Sequence, residues 1–275
     1  MHICKFFRNF VADFEIIMEK ISKSQVKLVK SLQLKKFRDE TGLFVAEGEK
    51  CVEELRKGFE LVHLYREGEN ATRTEIEQMS GLKTPQGVIG VFKKRPIGDL
   101  PFLCSVRARS GGMVIGDLTL ALDGVQDPGN LGTIIRTCDW FGVRTIYCSS
   151  DTADCYNPKV VQATMGALSR VQLHYVDLPE WLRELKIKDE ELKIYGTLLD
   201  GKDMYEVLAD QRPTTNDQRQ IIIMGNEGNG ISQAVRPLIT DPIRIPSYPK
   251  NVETSESLNV SIATAIVLAE FRRLT

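Results

Sequence analysis

The chain has 275 residues, of which 42% are hydrophobic and 27% are charged, and its 36 basic and 37 acidic side chains leave a net charge of −1. This length exceeds the usual size of one domain, so we expect two domains, each with its own core. No apolar run approaches the roughly 20 residues that a membrane-spanning helix needs, which excludes a membrane-spanning protein.

The six cysteines lack the paired spacing that is typical of zinc sites, and only three histidines are present. This pattern predicts reduced thiols, a cytoplasmic location and no metal site.

Residues 1–17 combine basic and aromatic side chains, but they lack a sustained apolar core and a small-residue cleavage site, so they do not predict a signal peptide. Patterned sequence begins at Met18. We interpret residues 1–17 either as a non-native extension upstream of a biological start at Met18, or as a poorly ordered arm.

Residues 20–38 hold seven basic side chains and no acidic one. Apolar residues interleave with them at helical spacing, which predicts helices with a basic outer face. Such a face suits an RNA backbone, although a solvated helix surface produces the same pattern. The candidate RNA-binding residues are Lys23, Lys27, Lys30, Lys35, Lys36 and Arg38.

Alternating helical and strand-like segments continue to about residue 105 and predict a small α/β domain over residues 18–105. The stretch RARSGG at 107–112 has a linker-like composition, so we place the boundary there. Over residues 106–275, apolar strands alternate with amphipathic helices, and the last helix spans 258–273. This pattern predicts an α/β domain with a mostly parallel sheet covered on both faces.

Polar loops follow predicted strands of this second domain, where ligands of open α/β sheets bind. The first loop makes a tight turn at 127–129 and offers Asn130 and Arg136. Asn130 is also a candidate helix N-cap, and Arg136 is also a candidate for a surface ion pair.

Two later loops are also rich in polar and glycine residues. GNEGNGIS at 225–232 places Glu227 among three glycines, which allow backbone to approach a ligand closely. Ser257 and Asn259 stand before the last helix, where free backbone N–H groups favour an anion or a reacting oxygen.

The ordered set DGVQDPGNLGTIIRT, IIIMGNEGNGIS and IPSYPKNVETSESLNVSIATA resembles the three motifs of the SpoU, or TrmH-type, RNA ribose 2′-O-methyltransferases of the SPOUT superfamily. The likeness covers residues 118–273. VKLVKSLQLKKFRDETGLFVAEGEK also resembles the small substrate-binding domain of these enzymes, which is related to a ribosomal-protein RNA-binding fold. The third motif departs from the family pattern, because the stretch between Pro246 and Ser257 is longer and lacks a glycine.

The resemblance implies a small N-terminal α/β RNA-binding domain and a C-terminal parallel-sheet domain with a deep trefoil knot. It further implies a homodimer that uses S-adenosylmethionine to methylate a ribose 2′-oxygen in structured RNA, with ribosomal RNA favoured over transfer RNA. By position, the catalytic residues are Asn130, Arg136, Glu227, Ser257 and Asn259, with Glu227 in a supporting part. The segments that match the cofactor pocket contain Thr197, Leu198, Gly225, Gly228, Ile245, Pro246 and Leu258.

Arg136 is open to two roles. The family's arginine has been proposed as the base that removes the 2′-hydroxyl proton, but a guanidinium has a pKa above about 12 and normally stays charged. Arg136 would then clamp the neighbouring RNA phosphate instead.

Two other classes of function are weighed against methyl transfer. A non-catalytic RNA-binding or ribosome-assembly factor on the same fold is the alternative, and the complete set of five motif residues argues against it. A nicotinamide-dependent oxidoreductase is excluded because no glycine fingerprint follows the first strand of the second domain. That domain is acidic on balance, so we expect RNA affinity to rest on the N-terminal domain and on patches such as Lys93, Lys94 and Arg95.

Overall fold

The computed structural model of the chain describes residues 21–95, 118–209, 220–249, 252 and 255–273. Among these, the residues up to 95 form one compact unit together with Asp154–Ser169, and the rest of the chain from 118 onward forms a second unit. The interpretation of residues 1–17 and the linker predicted at 107–112 fall outside the described residues. Within the described part of the chain, no helix is both long enough and apolar enough to span a membrane.

The first unit is a small antiparallel sheet with helices. Its strands are hydrogen bonded in the order β1-β3-β2. Two of its helices begin with a capping box. Ser22 pairs with Gln25 at the start of the helix Lys23–Ser31, and Thr72 pairs with Glu75 at the start of the helix Arg73–Met79. The elements are α1 (Lys23–Ser31), α2 (Lys35–Thr41), β1 (Leu43–Glu47), α3 (Glu49–Arg56), β2 (Leu61–Arg66), α4 (Arg73–Met79) and β3 (Val88–Lys93).

The second unit is built on a six-stranded sheet in which every strand pairing is parallel, as the sequence predicts. The strand order is β6-β5-β4-β8-β7-β9. In chain order the elements are β4 (Leu118–Asp123), α5 (Pro128–Trp140), β5 (Thr145–Ser149), α6 (Pro158–Thr164), β6 (Gln172–Val176), α7 (Leu178–Lys188), β7 (Lys193–Asp203), α8 (Met204–Ala209), β8 (Gln220–Gly225), β9 (Asp241–Arg244) and α9 (Val260–Arg273). Of these, α6 packs with the first unit.

The segment Asp154–Ser169 lies within the sequence of the second domain but folds with the first unit. The Tyr156 ring lies 4.8 Å from the Phe44 ring. A Cβ added at Gly166 would lie 2.3 Å from Cβ of Glu54, so only glycine permits this close approach. The first unit is therefore completed by sixteen residues that come from the middle of the second domain's sequence.

Strand register brings the carboxyl ends of four neighbouring strands to one edge of the larger sheet. Asp123 at the end of β4 is paired with Gly225 at the end of β8. On the other side of β8, β7 carries Thr197 opposite Ile243 of β9. The edge formed by β4, β8, β7 and β9 is where a doubly covered parallel sheet binds ligands.

The pairing of β7 with β9 is interrupted at this edge. Thr197 and Lys202 are both paired with Ile243, so residues 198–201 loop out between them. A Cβ added at Gly201 would lie 2.5 Å from the carbonyl carbon of Ile243, which makes glycine necessary at that point of the loop.

Candidate active site

The first loop of the site is organised by Asp127. Its side chain accepts from the backbone N–H of Asn130 at 2.8 Å, and Pro128 occupies the first helical position of α5. The sequence made Asn130 a candidate N-cap, but Asp127 has that role in the structure. The side chain of Asn130 is left available for other contacts.

The third loop ends in a helix cap. Oδ1 of Asn259 accepts from the backbone N–H groups of Ser261 at 2.9 Å and Ile262 at 3.3 Å, and from the Ser261 hydroxyl at 2.6 Å. Asn259 is thus the N-cap of α9 and satisfies backbone donors that the sequence assigned to an anion or a reacting oxygen. Its amide nitrogen is directed elsewhere.

A chain of hydrogen bonds joins residues from all three loops. The amide of Asn259 donates to Oδ1 of Asn130 at 2.9 Å. The amide of Asn130 in turn donates to Oε1 of Glu227 at 3.1 Å. Three of the five candidate catalytic residues are therefore in direct contact, although they are separated by up to 129 positions in sequence.

Asn226 shapes the loop that carries Glu227, and sequence reasoning missed it. Its side-chain oxygen accepts from the N–H groups of Gly228 at 2.9 Å and Asn229 at 3.0 Å, while its amide donates to the Gly124 carbonyl at 2.6 Å. The second loop is thereby fastened to the first. The signal that could have revealed this role is an asparagine at the start of a glycine-rich turn.

Gly225 and Gly228 lie in this loop with different steric surroundings. A Cβ at position 225 would lie 2.3 Å from the Gly230 carbonyl carbon, whereas one at position 228 would lie 3.6 Å from the nearest heavy atom, an ordinary contact. We expect Gly225→Ala to lower the free energy of unfolding by about 1–3 kcal/mol, and Gly228→Ala to change it much less. Urea unfolding of both variants measures this, and equal stability would contradict the steric role of Gly225.

Arg136 and Ser257 lie outside the chain of hydrogen bonds. Both side chains are exposed, Arg136 on α5 and Ser257 before α9. No described side chain forms an ion pair with Arg136, including Glu227, so the surface ion pair considered from the sequence is not formed. The guanidinium is free to meet a phosphate or a second chain.

Six of the seven candidate cofactor residues lie in or just after β7, β8 and β9, toward the carboxyl ends of these strands. The Thr197 hydroxyl donates to the Ile223 carbonyl at 3.0 Å, which ties β7 to β8 at this point. Leu198 follows Thr197 in sequence, and Ile245 and Pro246 follow β9, the strand that pairs with β7. All three residues are half-buried. Gly225 ends β8 and Gly228 follows it, whereas Leu258 lies apart in sequence, exposed before α9.

Among the candidate RNA-binding residues, the lysines are exposed. Lys23, Lys27 and Lys30 are spaced along one face of α1, and no described acidic side chain forms an ion pair with any of them. Lys35 and Lys36 are exposed on α2, and Lys36 lies 3.8 Å from Glu40.

Arg38 was wrongly grouped with these lysines. It is only 1% exposed, and its guanidinium donates to Asp154 and to backbone carbonyls. It is a structural residue of the first unit, and its guanidinium is already hydrogen bonded within that unit. The patch at Lys93, Lys94 and Arg95 is likewise occupied within the unit, because the two lysines pair with Glu60 and Asp39, and Arg95 donates to the Ser169 carbonyl.

Comparison with known proteins agrees with this architecture. Residues 117–269 match the SpoU rRNA Methylase family, and residues 23–78 match the MRM3-like substrate binding domain. The Bacillus subtilis 23S rRNA (guanosine(2553)-2'-O)-methyltransferase RlmP is 29% identical over 260 residues, which cover 93% of this chain and 98% of the relative.

Solved structures give the same result. A putative RNA methyltransferase of the TrmH family from Porphyromonas gingivalis superposes with a TM-score of 0.76 at 35% identity, covering 93% of this chain and 99% of that one. An AdoMet-bound rRNA methyltransferase from Sinorhizobium meliloti superposes with a TM-score of 0.73 at 29% identity, covering 93% and 96% of the two chains. The resemblance drawn from the three motifs is thus confirmed, and the chain belongs to the SpoU rRNA methylase family.

Proposed function

We propose that this chain is an S-adenosylmethionine-dependent methyltransferase that modifies a ribose 2′-oxygen in ribosomal RNA in the cytoplasm. Relatives that match almost the whole chain are named as 23S rRNA 2′-O-methyltransferases or as rRNA methyltransferases. The observation that carries the proposal is the contact of Asn130, Glu227 and Asn259, because it assembles all three motifs at the edge where the parallel sheet binds ligands.

The residues at that edge suit the cofactor. Leu198, Ile245 and Pro246 offer half-buried apolar surface for an adenine ring, and the exposed backbone at Gly228 can approach a ligand closely. When bound, S-adenosylmethionine supplies an electrophilic methyl group on a sulfonium. The protein's part is to align the ribose hydroxyl behind that methyl and to favour loss of the hydroxyl proton.

Asn130 and Arg136 are the residues best placed to align the ribose hydroxyl and to favour loss of its proton. The Asn130 amide is held by two neighbours and retains one N–H for a substrate oxygen. The free guanidinium of Arg136 supplies a fixed positive charge for an RNA phosphate or for the oxygen that becomes negative as its proton leaves.

The lysine face of α1 is proposed to bind the RNA backbone. We expect the combined change Lys23→Ala, Lys27→Ala and Lys30→Ala to weaken RNA binding and to reduce the slope of log affinity against log salt by up to about 3, roughly one per lost phosphate contact. Titrations with RNA at several salt concentrations measure the slope. As a control, Arg73→Ala on α4 removes an exposed arginine that is already paired with Glu77, and it should leave the slope unchanged.

A homodimer is proposed because the helices that carry the site also expose apolar side chains. Trp140 at the end of α5 is 86% exposed, Leu258 is 49% exposed, and Ile262 on α9 is 53% exposed. The two helices pack against each other within the chain. A second copy that covers this surface would bury a tryptophan, which is a common anchor of interfaces, close to the helix that holds Arg136.

Trp140→Asp tests the dimer. We expect the dissociation constant to rise at least about tenfold, because a buried anchor would be replaced by a charge. The matched control is Ile187→Asp on α7, where the replaced side chain is 80% exposed in the same unit. Analytical ultracentrifugation would contradict the proposal if the unaltered protein is a monomer, or if both variants dissociate equally.

The knotted topology is part of the same proposal. β8 lies between β4 and β7, and the chain then returns past β7 to form β9 at the outer edge of the sheet. It finally reaches α5 again through α9. This route supports a threaded arrangement of the last part of the chain around the loop at 198–201.

The experiment that tests the function is transfer of labelled methyl from S-adenosylmethionine to total RNA from a strain that lacks the gene, with RNA from the parent strain as the control. Label that appears only in the RNA from the deletion strain, and that maps to one 2′-O-methylated nucleotide, is the expected result. If the protein neither transfers label nor binds S-adenosylmethionine, the proposal fails and a non-catalytic RNA-binding role replaces it.

A further inference from the structure

The direction of the hydrogen bonds between Asn259, Asn130 and Glu227 is fixed by the backbone of α9. Oδ1 of Asn259 faces the backbone N–H groups of Ser261 and Ile262. Backbone N–H groups only donate, so the side-chain atom that faces them has to be the amide oxygen. The amide nitrogen of Asn259 therefore points at Asn130.

That orientation is passed on to Asn130. Because Asn259 donates to Oδ1 of Asn130, the nitrogen of the Asn130 amide is turned toward Glu227. The last acceptor is a carboxylate oxygen of Glu227. An ionised carboxylate accepts hydrogen bonds and cannot donate them. Among the described residues, Asn259 and Glu227 are each hydrogen bonded to Asn130, which links the one to the other.

We propose that Asn259 and Glu227 are positioning residues, whose part in the reaction is to hold the Asn130 amide in this one orientation. This inference rests on the proposed methyl transfer. Glu227 contributes an acceptor atom, and its negative charge is not otherwise required. Asn130 is then the member of the three that meets the substrate, because both of its neighbours are used to orient it.

Two substitutions separate orientation from charge. Asn259→Asp keeps a good N-cap, since Asp and Asn are equivalent there, but it replaces a donor by an acceptor in front of Asn130. The Asn130 amide has to reverse, and its oxygen then opposes Glu227. Glu227→Gln alone keeps an acceptor for Asn130. In the double variant the new glutamine also has a donor, so all hydrogen bonds can form in the reverse direction, with the Asn130 amide still reversed. The double variant therefore separates the orientation of Asn130 from the mere presence of its hydrogen bonds.

The roles are read from the turnover number of methyl transfer, the affinity for S-adenosylmethionine and urea unfolding. We expect Asn259→Asp to lower turnover about 30-fold or more, with cofactor affinity and unfolding free energy nearly unchanged, because misplacing an active-site group can cost about 100-fold. Glu227→Gln, which keeps an acceptor, should lower turnover far less than Asn259→Asp does. The double variant should stay as slow as Asn259→Asp, because its hydrogen bonds hold the Asn130 amide in the reversed orientation. Ser261→Ala is the control, since it removes only the hydroxyl donor and leaves both backbone donors to Asn259 in place.

A double variant that recovers activity with a reversed Asn130 amide would overturn the positioning roles, and so would a Glu227→Gln variant that is as inactive as Asn259→Asp. Transfer by the unaltered protein is measured first. If it is absent, the proposed function has failed, whereas an active protein whose double variant recovers defeats only the roles of Asn259 and Glu227.

Discussion

Replacing Arg136 by alanine is expected to lower the rate of methyl transfer by about 10²–10³-fold or more, the effect seen when a fixed group that stabilises a developing charge is removed. Arg136 is exposed on α5, and no described side chain is paired with it. Its removal therefore breaks no ion pair with the residues that the structure describes. Cofactor affinity and the unfolding free energy should stay close to those of the unaltered protein.

Single-turnover methyl transfer and titration with S-adenosylmethionine measure these quantities. Arg183→Ala is a matched control, because Arg183 is also an exposed arginine of this unit, on α7, which carries no candidate site residue. Unchanged turnover in Arg136→Ala would remove Arg136 from the mechanism. A similar loss in Arg183→Ala would mean that general charge, and not the position of Arg136, controls the rate.

Arg136→Lys distinguishes the two roles left open for the arginine. A phosphate clamp predicts partial activity and a higher KM for RNA, because lysine keeps the charge but loses the planar fork that fits a phosphate. A base predicts a rate that rises with pH toward the lysine pKa, about 10.4 when unperturbed. A flat pH profile with a raised KM would favour the clamp.

The motifs predicted which residues form the site, and the structure shows what the linear pattern left undecided. Only Asn130 was considered as the N-cap from the sequence, although Asp127 is an equally good N-cap residue. Pro128 lacks an N–H and suits the first helical position, which makes Asp127 the cap. Only three-dimensional packing then placed the Asn130 side chain against Asn259 and Glu227.

Strand and helix types in the second domain followed from periodicity, but two elements did not. β9 is four residues long and contains Pro242, so it offers too little alternating pattern to be identified as a strand. α8 spans only Met204–Ala209, which is shorter than a reliable amphipathic repeat. Both lie close to the loop at 198–201, since β9 pairs with β7 on either side of it and α8 follows β7. In this region the family motifs, and not the periodicity, indicated function.

The placement of Asp154–Ser169 in the first unit was also outside the reach of pattern. α6 has the composition of any short helix of an α/β domain, and its partners are set by long-range contacts such as that of the Cys51 thiol with the Val161 carbonyl, at 3.8 Å. As a result, removing the N-terminal domain would strip α6 of its packing. Point variants test the division of labour between the units more cleanly than a truncation.

Arg38→Ala is expected to destabilise the first unit by about 3–5 kcal/mol, the usual cost of removing one partner of a buried ion pair. Nη2 of Arg38 lies 2.7 Å from Oδ2 of Asp154, and Nη1 donates to the Leu32 carbonyl at 2.8 Å and to the Gln33 carbonyl at 2.9 Å. Alanine would leave a carboxylate and two carbonyls without these donors. Urea unfolding followed by a probe in the first unit measures the loss.

Lys36→Ala is the matched control, since Lys36 is a basic residue of the same helix, α2. Among the described residues it forms an ion pair with Glu40, and that pair is exposed. Its effect on unfolding should stay below about 1 kcal/mol, because exposed ion pairs contribute little. RNA titration at a temperature where both variants are folded should give the opposite ranking, with weaker binding for Lys36→Ala and unchanged binding for Arg38→Ala. If Arg38→Ala is as stable as Lys36→Ala and binds RNA more weakly, Arg38 is an RNA contact after all, and its burial against Asp154 does not persist in solution.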